Sequence, residues 1–365
     1  MHKLGISIYP EHSTPEKDLA YMQLASKYGF RRIFTCLLSV DQPKEYIIKE
    51  FGDFVSKAHE LGFEVSVDTA PYVFDHLGAT PRDVSVFHEM GVDIIRLDGH
   101  FDDYLDRLIT RNPYGIKIEF NGSSDTSVDH LIRHGADVHN MLICHNFYPE
   151  KYSGLGWKTF MKFNRKWKDL GMHTAAFVSS NASNTYGPWP VYEGLPTVEL
   201  DRGLPIDVQV RHLLACEMID DILIGNAIAD EAELKAMSEV DLTKTTIGIE
   251  VEEGICEEER HILFDLEHAG RTDHSDFYIR CSLPRSEYTK KSIPQRLCDK
   301  KTFVRGDVVV VNDELAHYRG ECEIILQEIE NDGTRNLVGR IPDNERMILD
   351  LLEEHPDHIY GYVKK

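Results

Sequence analysis

Apolar residues along this chain recur with two different periods, and segments of one period alternate with segments of the other. Short apolar-rich runs with strand spacing alternate with segments whose apolar residues recur every three or four positions, as on one face of a helix. Strands are predicted at 3–9, 31–38, 63–68, 93–98, 116–121, 139–147, 172–179 and 220–226. Helices are predicted at 15–28, 43–61, 80–90, 100–110, 124–134, 157–169, 206–217 and 230–239. Eight such units predict a (β/α)8 TIM barrel.

Residues that start and stop helices support this division. Proline stands in the first turn of two predicted helices, at Pro15 and Pro81. Glycine follows five consecutive helix patterns, where it suits a left-handed cap, at Gly29, Gly62, Gly91, Gly135 and Gly171. An open doubly wound sheet is the alternative fold, but no GxGxxG follows the first strand to support a dinucleotide-binding version.

After Val240 the pattern changes. Short strand-like runs at 245–252, 277–281, 308–311 and 323–326 are separated by turn residues, and helix patterns are scarce until 345–354. We therefore predict two domains, 1–240 and 241–365, of which the second is a small, mostly β barrel or sandwich.

Three of the predicted barrel strands carry polar residues on one face and apolar residues on the other. The alternating polar sets are Glu64, Ser66 and Asp68; Arg96 and Asp98; and Lys117, Glu119 and Asn121. A buried parallel strand is normally a continuous apolar run, and charge inside a sheet is unfavourable unless it is paired or functional. The pattern therefore indicates an active site at the mouth of the barrel.

Carboxylates at strand ends suit the hydrolysis of a glycosidic bond, which needs one group to protonate the leaving oxygen and a second to activate water or stabilise the sugar cation. We predict Asp98 and Glu119 as this pair, with Asp68 as the alternate member. Arg96 and Lys117 are predicted to keep one carboxylate ionised. The alternative is a network of paired charges that fills the barrel.

The loops after strands seven and eight hold candidates for phosphate binding, since barrels often bind phosphate there. The candidates are Ser179, Asn181 and Asn226, although small polar residues also simply end strands. About 25 residues between 179 and 205 lack a clear regular pattern, which is typical of binding loops. This stretch carries Trp189 and Glu199.

Aromatic and histidine side chains complete the candidate site. The rings that could cover sugar faces, or that could instead pin loops by burial, are Tyr186, Trp189, Tyr192, Phe147 and Tyr148. His145 and Asn146, near the end of strand six, are predicted to contact a substrate oxygen. No HxH or HExxH spacing supports a metal site, and we predict neither a metal nor a cofactor.

Composition and charge narrow the function classes. The net charge of −22 on 365 residues disfavours binding to nucleic acid and to anionic membranes. No window approaches the roughly 18 apolar residues of a membrane helix. The seven cysteines are scattered without a CxxC pair. Residues 1–8 lead into a strand pattern without a signal-peptide cleavage site, so a cytoplasmic protein with reduced thiols is expected.

Several ordered motifs span the whole chain. They include GISIYP at 5–10, IRLD at 95–98, IEFN at 118–121, CHNFYP at 144–149, GLPTVE at 194–199, IRCS at 279–282 and GDVV at 306–309. With these motifs the chain resembles the 6-phospho-N-acetylmuramidase family, bacterial glycoside hydrolases formerly labelled outer surface proteins.

The resemblance implies a TIM barrel followed by a cyclophilin-like β-barrel domain. The implied reaction is hydrolysis of the β-1,4 bond between N-acetylmuramic acid 6-phosphate and N-acetylglucosamine, in cytoplasmic recycling of cell-wall fragments. The implied substrate carries two anionic groups, for which Arg280 of the second domain is a further candidate. Tyr9 and Glu199 lie within matching motifs and are added as substrate contacts.

Three other functions stay open at this point. A metal-dependent phosphosugar isomerase or epimerase and an enzyme that removes the lactyl ether would act on similar ligands. A non-catalytic sugar-binding protein is the third, although such a protein needs no cluster of facing carboxylates. The expected partner is a small phosphorylated amino-sugar disaccharide, and a homodimer is left open.

Overall fold

The computed structural model describes residues 2–365, which divide into two compact units. The first unit runs to Leu213 and continues over Glu217–Val240. The second comprises Asp241–Lys365 together with Leu214–Cys216. No helix in the described part of the chain combines the length and the apolar character needed to cross a membrane.

The first unit is a closed barrel of eight parallel strands in chain order, which confirms the predicted (β/α)8 fold. The strands are β1 (Lys3–Ser7), β2 (Arg32–Cys36), β3 (Glu64–Thr69), β4 (Ile94–Leu97), β5 (Lys117–Asn121), β6 (Met141–Cys144), β7 (Thr174–Val178) and β8 (Asp221–Ile224). The barrel closes where β8 pairs with β1, with Ile224 opposite Ile6. Seven observed strands fall within their predicted windows, and β3 extends one residue past its window, to Thr69.

Residues 2–240 form nine α-helices. They are α1 (Pro15–Lys27), α2 (Lys44–Glu60), α3 (Pro71–Leu77), α4 (Ser85–Glu89), α5 (Asp103–Ile109), α6 (Val128–Arg133), α7 (Trp157–Asp169), α8 (Ile206–Ala215) and α9 (Glu231–Ser238). Short 3-10 helices occupy Pro10–His12, Val138–Asn140 and Glu199–Asp201. The five predicted glycine caps all have positive φ, between 70° at Gly171 and 93° at Gly135.

The helix predicted at 80–90 was wrong in its first half. Pro71 rather than Pro81 begins a helix, and Gly78, with φ of 69°, ends α3. Thr80 and Asp83 then exchange two backbone hydrogen bonds in a tight turn, so α4 begins only at Ser85. Threonine followed by proline also suits a turn, and here the local hydrogen bonds of the turn prevail.

The second unit is built on a mixed seven-stranded sheet, which confirms a mostly β domain. Its strands are β9 (Thr245–Val251), β10 (His268–Ala269), β11 (Tyr278–Cys281), β13 (Asp307–Val311), β14 (Cys322–Ile325), β16 (Arg335–Arg340) and β17 (Ile359–Lys364). A separate pair is formed by β12 (Thr302–Phe303) and β15 (Ile329–Glu330), and the helices are α10 (Glu257–Phe264), α11 (Arg285–Tyr288) and α12 (Arg346–Glu354).

The seven strands run in the order β10-β17-β9-β16-β13-β14-β11, and the two edges approach each other. A Cβ placed on Gly270, just after β10, would lie 2.9 Å from Ile279 Cγ2 on β11. The sheet is therefore nearly closed. The cyclophilin-like shape that the family resemblance implies stays a prediction.

Candidate active site

Polar side chains from four consecutive strands meet at the carboxyl end of the barrel. This mouth cluster consists of Asp68, Arg96, Asp98, Asn121 and Asn146. The carboxyl ends of parallel barrel strands share one rim, and the strand register places Asp68 directly beside Arg96. The structure thus brings together five of the residues that the sequence predicts for the site.

Arg96 is the centre of the mouth cluster. Its Nη1 donates to Asp68 Oδ1 at 2.5 Å and to Asp98 Oδ1 at 3.2 Å, and its Nη2 donates to the amide oxygen of Asn146. Asn121 Nδ2 lies 3.4 Å from the same oxygen of Asp98. Two carboxyl groups are therefore held on one guanidinium nitrogen, with their oxygens facing the same space.

The two carboxyl groups differ in their environment. The side chain of Asp68 is 5% exposed, whereas that of Asp98 is 41% exposed. Burial raises the pKa of Asp68 to about 6; the Arg96 charge opposes this rise, and the charges of Asp98 and Glu119 add to it. Asp68 therefore keeps a proton through mildly acidic pH, beside a carboxyl group that is open to solvent.

A hydrogen-bonded relay holds Asn146 in place from behind. Asn164 donates to Phe160 O at 2.9 Å, so its amide oxygen faces His145 Nε2 at 3.1 Å. The Nε2 atom therefore carries the proton, and Nδ1 accepts from the Ser123 hydroxyl at 3.2 Å. Ser123 Oγ in turn accepts from the backbone N–H of Asn146 at 2.8 Å.

His145 is completely buried, and burial lowers its pKa to about 4, so the ring is neutral. Both of its ring nitrogens hydrogen-bond within the protein, which leaves neither for the predicted substrate contact. Burial raises the pKa of the nearby Tyr148. The relay therefore links a buried histidine to Asn146 of the mouth cluster.

A cavity of about 210 Å³ lies over the mouth cluster. Asp68 and Asp98 line it together with five aromatic residues: Phe34, Phe147, Tyr148, Phe177 and Trp189. The rings of Phe34 and Phe177 meet edge to face at 5.1 Å. A space lined by both charged and aromatic side chains suits a sugar ring, which has polar edges and apolar faces.

A second set of paired charges lies deeper in the barrel. This inner cluster consists of Arg32, Ser66, Glu119 and Asp221. Arg32 pairs with Glu119 through Nη2 and with Asp221 Oδ2 at 2.9 Å through Nη1, and Ser66 Oγ donates to Glu119 at 3.1 Å. The three charged side chains are at most 2% exposed.

Glu119, predicted as a catalytic residue, is therefore not part of the mouth cluster. It shares a face of β5 with Asn121, as the alternation predicts, but two residues along a strand amount to about 7 Å of depth. Asn121 reaches the mouth, and Glu119 stays one layer below it, paired to Arg32. Glu119 thus belongs to a network of paired charges inside the barrel, which was the alternative to a catalytic role.

Two other predicted contacts hydrogen-bond to backbone carbonyl groups of the protein rather than to the mouth cluster. Lys117 is the first residue of β5, at the opposite end of the barrel, and its Nζ donates to His139 O at 2.7 Å. Tyr9 is completely buried, and its hydroxyl donates to Gly225 O at 2.5 Å. Strand alternation assigns a face to each residue, but the depth along the barrel decides which residues reach solvent.

The predicted phosphate loops are hydrogen-bonded within the protein. Asn226 Oδ1 accepts from Ser180 N at 2.8 Å, and Ser179 Oγ accepts from Leu195 N at 3.0 Å. The carboxylate of Glu233, in the first turn of α9, accepts from Asn181 N at 2.7 Å and from the Ser180 hydroxyl. An internal carboxylate thus accepts hydrogen bonds from two donors of these loops, and the predicted phosphate binding stays a prediction.

Glu199 fastens two loops together. It pairs with Arg202 Nε at 2.7 Å and accepts from the backbone N–H groups of Tyr152 and Gly154, each at 2.8 Å. The Arg202 hydrogen bond lowers the pKa of Glu199 to about 2. Its oxygens are therefore engaged in holding loops together.

Arg280 belongs to the second unit, where its Nη2 lies 3.8 Å from Asp273.

Sequence reasoning missed Ser123, Asn164 and Arg32. Ser123 had a signal, since it follows Asn121 by two residues and continues the same face. Arg32 opens an apolar strand directly after Arg31, so the pattern did not say which arginine points inward. Asn164 had none, because it lies within the helical pattern of α7.

No group of three or more His, Cys, Asp or Glu side chains in residues 2–365 is arranged so that it could hold a metal ion. The mouth cluster instead pairs its carboxyl groups with arginine and amide donors.

Family models for the two halves of 6-phospho-N-acetylmuramidases match the chain. The model of the N-terminal part matches residues 4–239, and that of the C-terminal part matches residues 245–358. Together they extend over nearly all of the chain. A comparison with curated proteins gives no match.

Two solved structures resemble the whole chain. An uncharacterized protein from B. cereus is 38% identical with a TM-score of 0.90, and the match covers 99% of each chain. A conserved protein of unknown function from Enterococcus faecalis is 23% identical with a TM-score of 0.68, and the match covers 100% of this chain and 96% of that one. The second likeness supports the fold alone.

Proposed function

The chain belongs to the 6-phospho-N-acetylmuramidase family, and we propose that it is a glycosidase that cleaves the β-1,4 bond between N-acetylmuramic acid 6-phosphate and N-acetylglucosamine. The products are the phosphosugar and free N-acetylglucosamine. The observation that carries the proposal is the pair of carboxyl groups, Asp68 and Asp98, held on Arg96 at the edge of a sugar-sized cavity.

The spacing of this pair favours one stereochemical course. Both oxygens contact one Arg96 nitrogen, at 2.5 and 3.2 Å, so they lie no more than about 6 Å apart. Retaining glycosidases separate their carboxyl groups by about 5–5.5 Å, and inverting ones by roughly 6.5–9.5 Å. We therefore propose retention, with either Asp98 or the N-acetyl group of the substrate attacking the anomeric carbon.

Asp68 is proposed as the general acid. Its raised pKa, about 6, supplies a proton for the glycosidic oxygen. As the bond between the anomeric carbon and that oxygen breaks, the bonding electrons leave with the oxygen, and N-acetylglucosamine departs with the proton. Asp68, then ionised, takes a proton from the water that attacks the anomeric carbon in the second step.

Asp98 is proposed to act on the sugar itself. Its exposed carboxylate faces the cavity, and its contacts with Arg96 and Asn121 hold it in position. If Asp98 is the nucleophile, it forms the glycosyl bond directly. If the N-acetyl oxygen attacks, Asp98 orients the amide group and stabilises the positive charge that develops on it. In both cases a carboxylate close to the anomeric carbon is required.

The phosphate requirement of the proposed substrate is supported by the family match alone. The test is mass spectrometry of the products from the phosphorylated and the unphosphorylated disaccharide, each with and without a chelator. Release of N-acetylglucosamine from the phosphorylated form only, unaffected by chelator, is the expected result. Equal cleavage of both forms would remove the phosphate requirement, and lactate release with an intact disaccharide bond would replace the glycosidase by an ether-cleaving enzyme.

A further inference from the structure

The mouth cavity is too small for the whole proposed substrate. Its volume is about 210 Å³, whereas pockets for small molecules typically measure about 300–1,000 Å³. Trp189 forms part of its wall, and the same residue lines a second cavity of about 810 Å³. The larger space therefore adjoins the mouth cavity at Trp189 and offers room for a ligand larger than one sugar ring.

We call the larger space the Trp189 groove. Its lining includes His12, Asn184, Thr185, Tyr186, Trp189 and Tyr192. Among its lining residues there is no aspartate, glutamate, lysine or arginine, and His12 Nε2 lies 3.1 Å from the carbonyl oxygen of Pro188. The groove therefore offers hydroxyl, amide and aromatic groups, which suit an uncharged polar ligand.

A neighbouring cavity shows the contrast. It measures about 520 Å³ and shares Tyr192 with the groove, but Lys151, Glu193, Glu199 and Arg202 line it. Charged side chains thus line this cavity, and none lines the groove. The lack of charged residues is therefore a property of the groove and not of this whole face of the barrel.

The wall of the groove is held by specific contacts. Tyr186 exchanges two backbone hydrogen bonds with Ala227, at 2.6 and 2.9 Å. Its ring meets the ring of His12 edge to face at 6.4 Å, and Trp189 packs on Phe147 at 6.1 Å. A Cβ on Gly187 would lie 2.7 Å from Leu195, so the backbone is close-packed there. The loop is thus tied to the barrel end at several points.

Two rings of this fixed wall remain open to solvent. Trp189 is 39% exposed and Tyr192 is 71% exposed. Aromatic faces bind the apolar C–H faces of sugar rings, while the phenol and the neighbouring Asn184 and Thr185 can hydrogen-bond to sugar hydroxyl and N-acetyl groups. The groove therefore has the composition of a sugar subsite.

We propose that the Trp189 groove binds uncharged sugar residues on the leaving-group side of the scissile bond, and that it accepts more than one of them. The proposal rests on the proposed function, because the mouth cluster defines which bond is cleaved. It adds a substrate class: phosphosugar-capped chains whose leaving part is N-acetylglucosamine or a longer uncharged N-acetylated oligosaccharide.

Binding of β-1,4-linked N-acetylglucosamine oligomers of one to four units to the full chain tests this subsite. In isothermal titration calorimetry, we expect the dissociation constant to fall at least about tenfold from one unit to three, since each added ring covers more of the groove. The same dissociation constant for all four lengths would overturn the proposal.

Tyr192→Ala should abolish most of this length dependence, and Tyr192→Phe, which keeps the ring, should preserve it. Tyr46→Ala is the matched control, because Tyr46 on α2 is 53% exposed and does not line the groove. Equal loss of affinity in Tyr192→Ala and Tyr46→Ala would also contradict the proposal. Thermal melting of each variant checks that the fold is intact.

Cleavage of the phosphorylated disaccharide separates this proposal from the proposed function. Length-dependent oligomer binding without any cleavage would keep the subsite and reject the glycosidase. Normal cleavage with binding that does not depend on oligomer length would keep the glycosidase and reject the subsite.

Discussion

The barrel contains two clusters of nearly the same composition, and they differ in access to solvent. Arg96 holds Asp68 and Asp98 at the mouth, and Arg32 holds Glu119 and Asp221 in the interior. The charged side chains of the inner cluster are at most 2% exposed, whereas Asp98 at the mouth is 41% exposed.

This difference assigns different roles to the same chemical groups. A buried ion pair whose charges are all satisfied is part of the structure, and removal of one partner leaves an uncompensated charge. A carboxyl group that is held by arginine and still faces a cavity can act on a ligand. Access, rather than the presence of charge in a strand, therefore separates the candidate chemistry from the structural network.

The largest expected effect is on turnover, from Asp68→Asn. Loss of the proposed general acid should lower kcat/KM on the disaccharide by about 10²–10⁴-fold. A 4-nitrophenyl glycoside of the same phosphosugar needs no protonation of its leaving group, so kcat/KM of the variant, which reports the first step, should be close to normal on this substrate. Steady-state kinetics on both substrates measures this, and equal losses on both would remove Asp68 from the acid role.

Glu119→Gln should produce the opposite pattern. Because Arg32 loses one of its two buried partners, the free energy of unfolding should fall by about 3–5 kcal/mol, measured by urea denaturation. Turnover per folded molecule should change by less than about tenfold, or ~1.4 kcal/mol. Asp98→Asn is the matched control at an exposed carboxyl group, with lost turnover and almost unchanged stability. A large loss of turnover in stable Glu119→Gln would return Glu119 to the catalytic set.

The two clusters should also be coupled through pH. Since Asp68 must carry a proton, kcat/KM should fall above pH 6, where its carboxyl group, with a pKa of about 6, ionises. The negative charge of Glu119 helps to raise that pKa, so Glu119→Gln should move the falling limb to lower pH. The pH profiles of both proteins test this, and a limb at the same pH in both would mean that another group titrates.

The smallest expected effect comes from the relay behind the mouth. Ser123→Ala removes the hydroxyl between His145 and Asn146 and should lower kcat/KM by about threefold to tenfold, as for the loss of one hydrogen bond. Ser123→Thr, which keeps the hydroxyl, should recover most of the rate. Ser124→Ala, at the exposed neighbour, serves as control, and an equal loss there would show that the relay has no specific role.

Sequence patterns were most informative where one local rule decides the outcome. The eight strands and the five glycine caps follow from hydrophobic period and from the left-handed backbone that glycine tolerates, and all of them are present. The strands at 335–340 and 359–364 were missed, because Asn336, Gly339 and Gly361 interrupt their apolar alternation. Pairing with strands that are distant in sequence stabilises them instead.

The sequence by itself determined the barrel, the mostly β second domain, and the face of each strand that carries charge. Only the tertiary structure decided how deep each charged residue lies. Alternation has a period of two residues and cannot tell Glu119 from Asn121, whereas the barrel separates them by one layer and by a different partner. The tertiary structure likewise places the carboxylate of Glu233 beside the predicted phosphate loops. Glu233 is a helix residue more than 50 positions away from Ser180, and contacts between such distant segments leave no local pattern in the sequence.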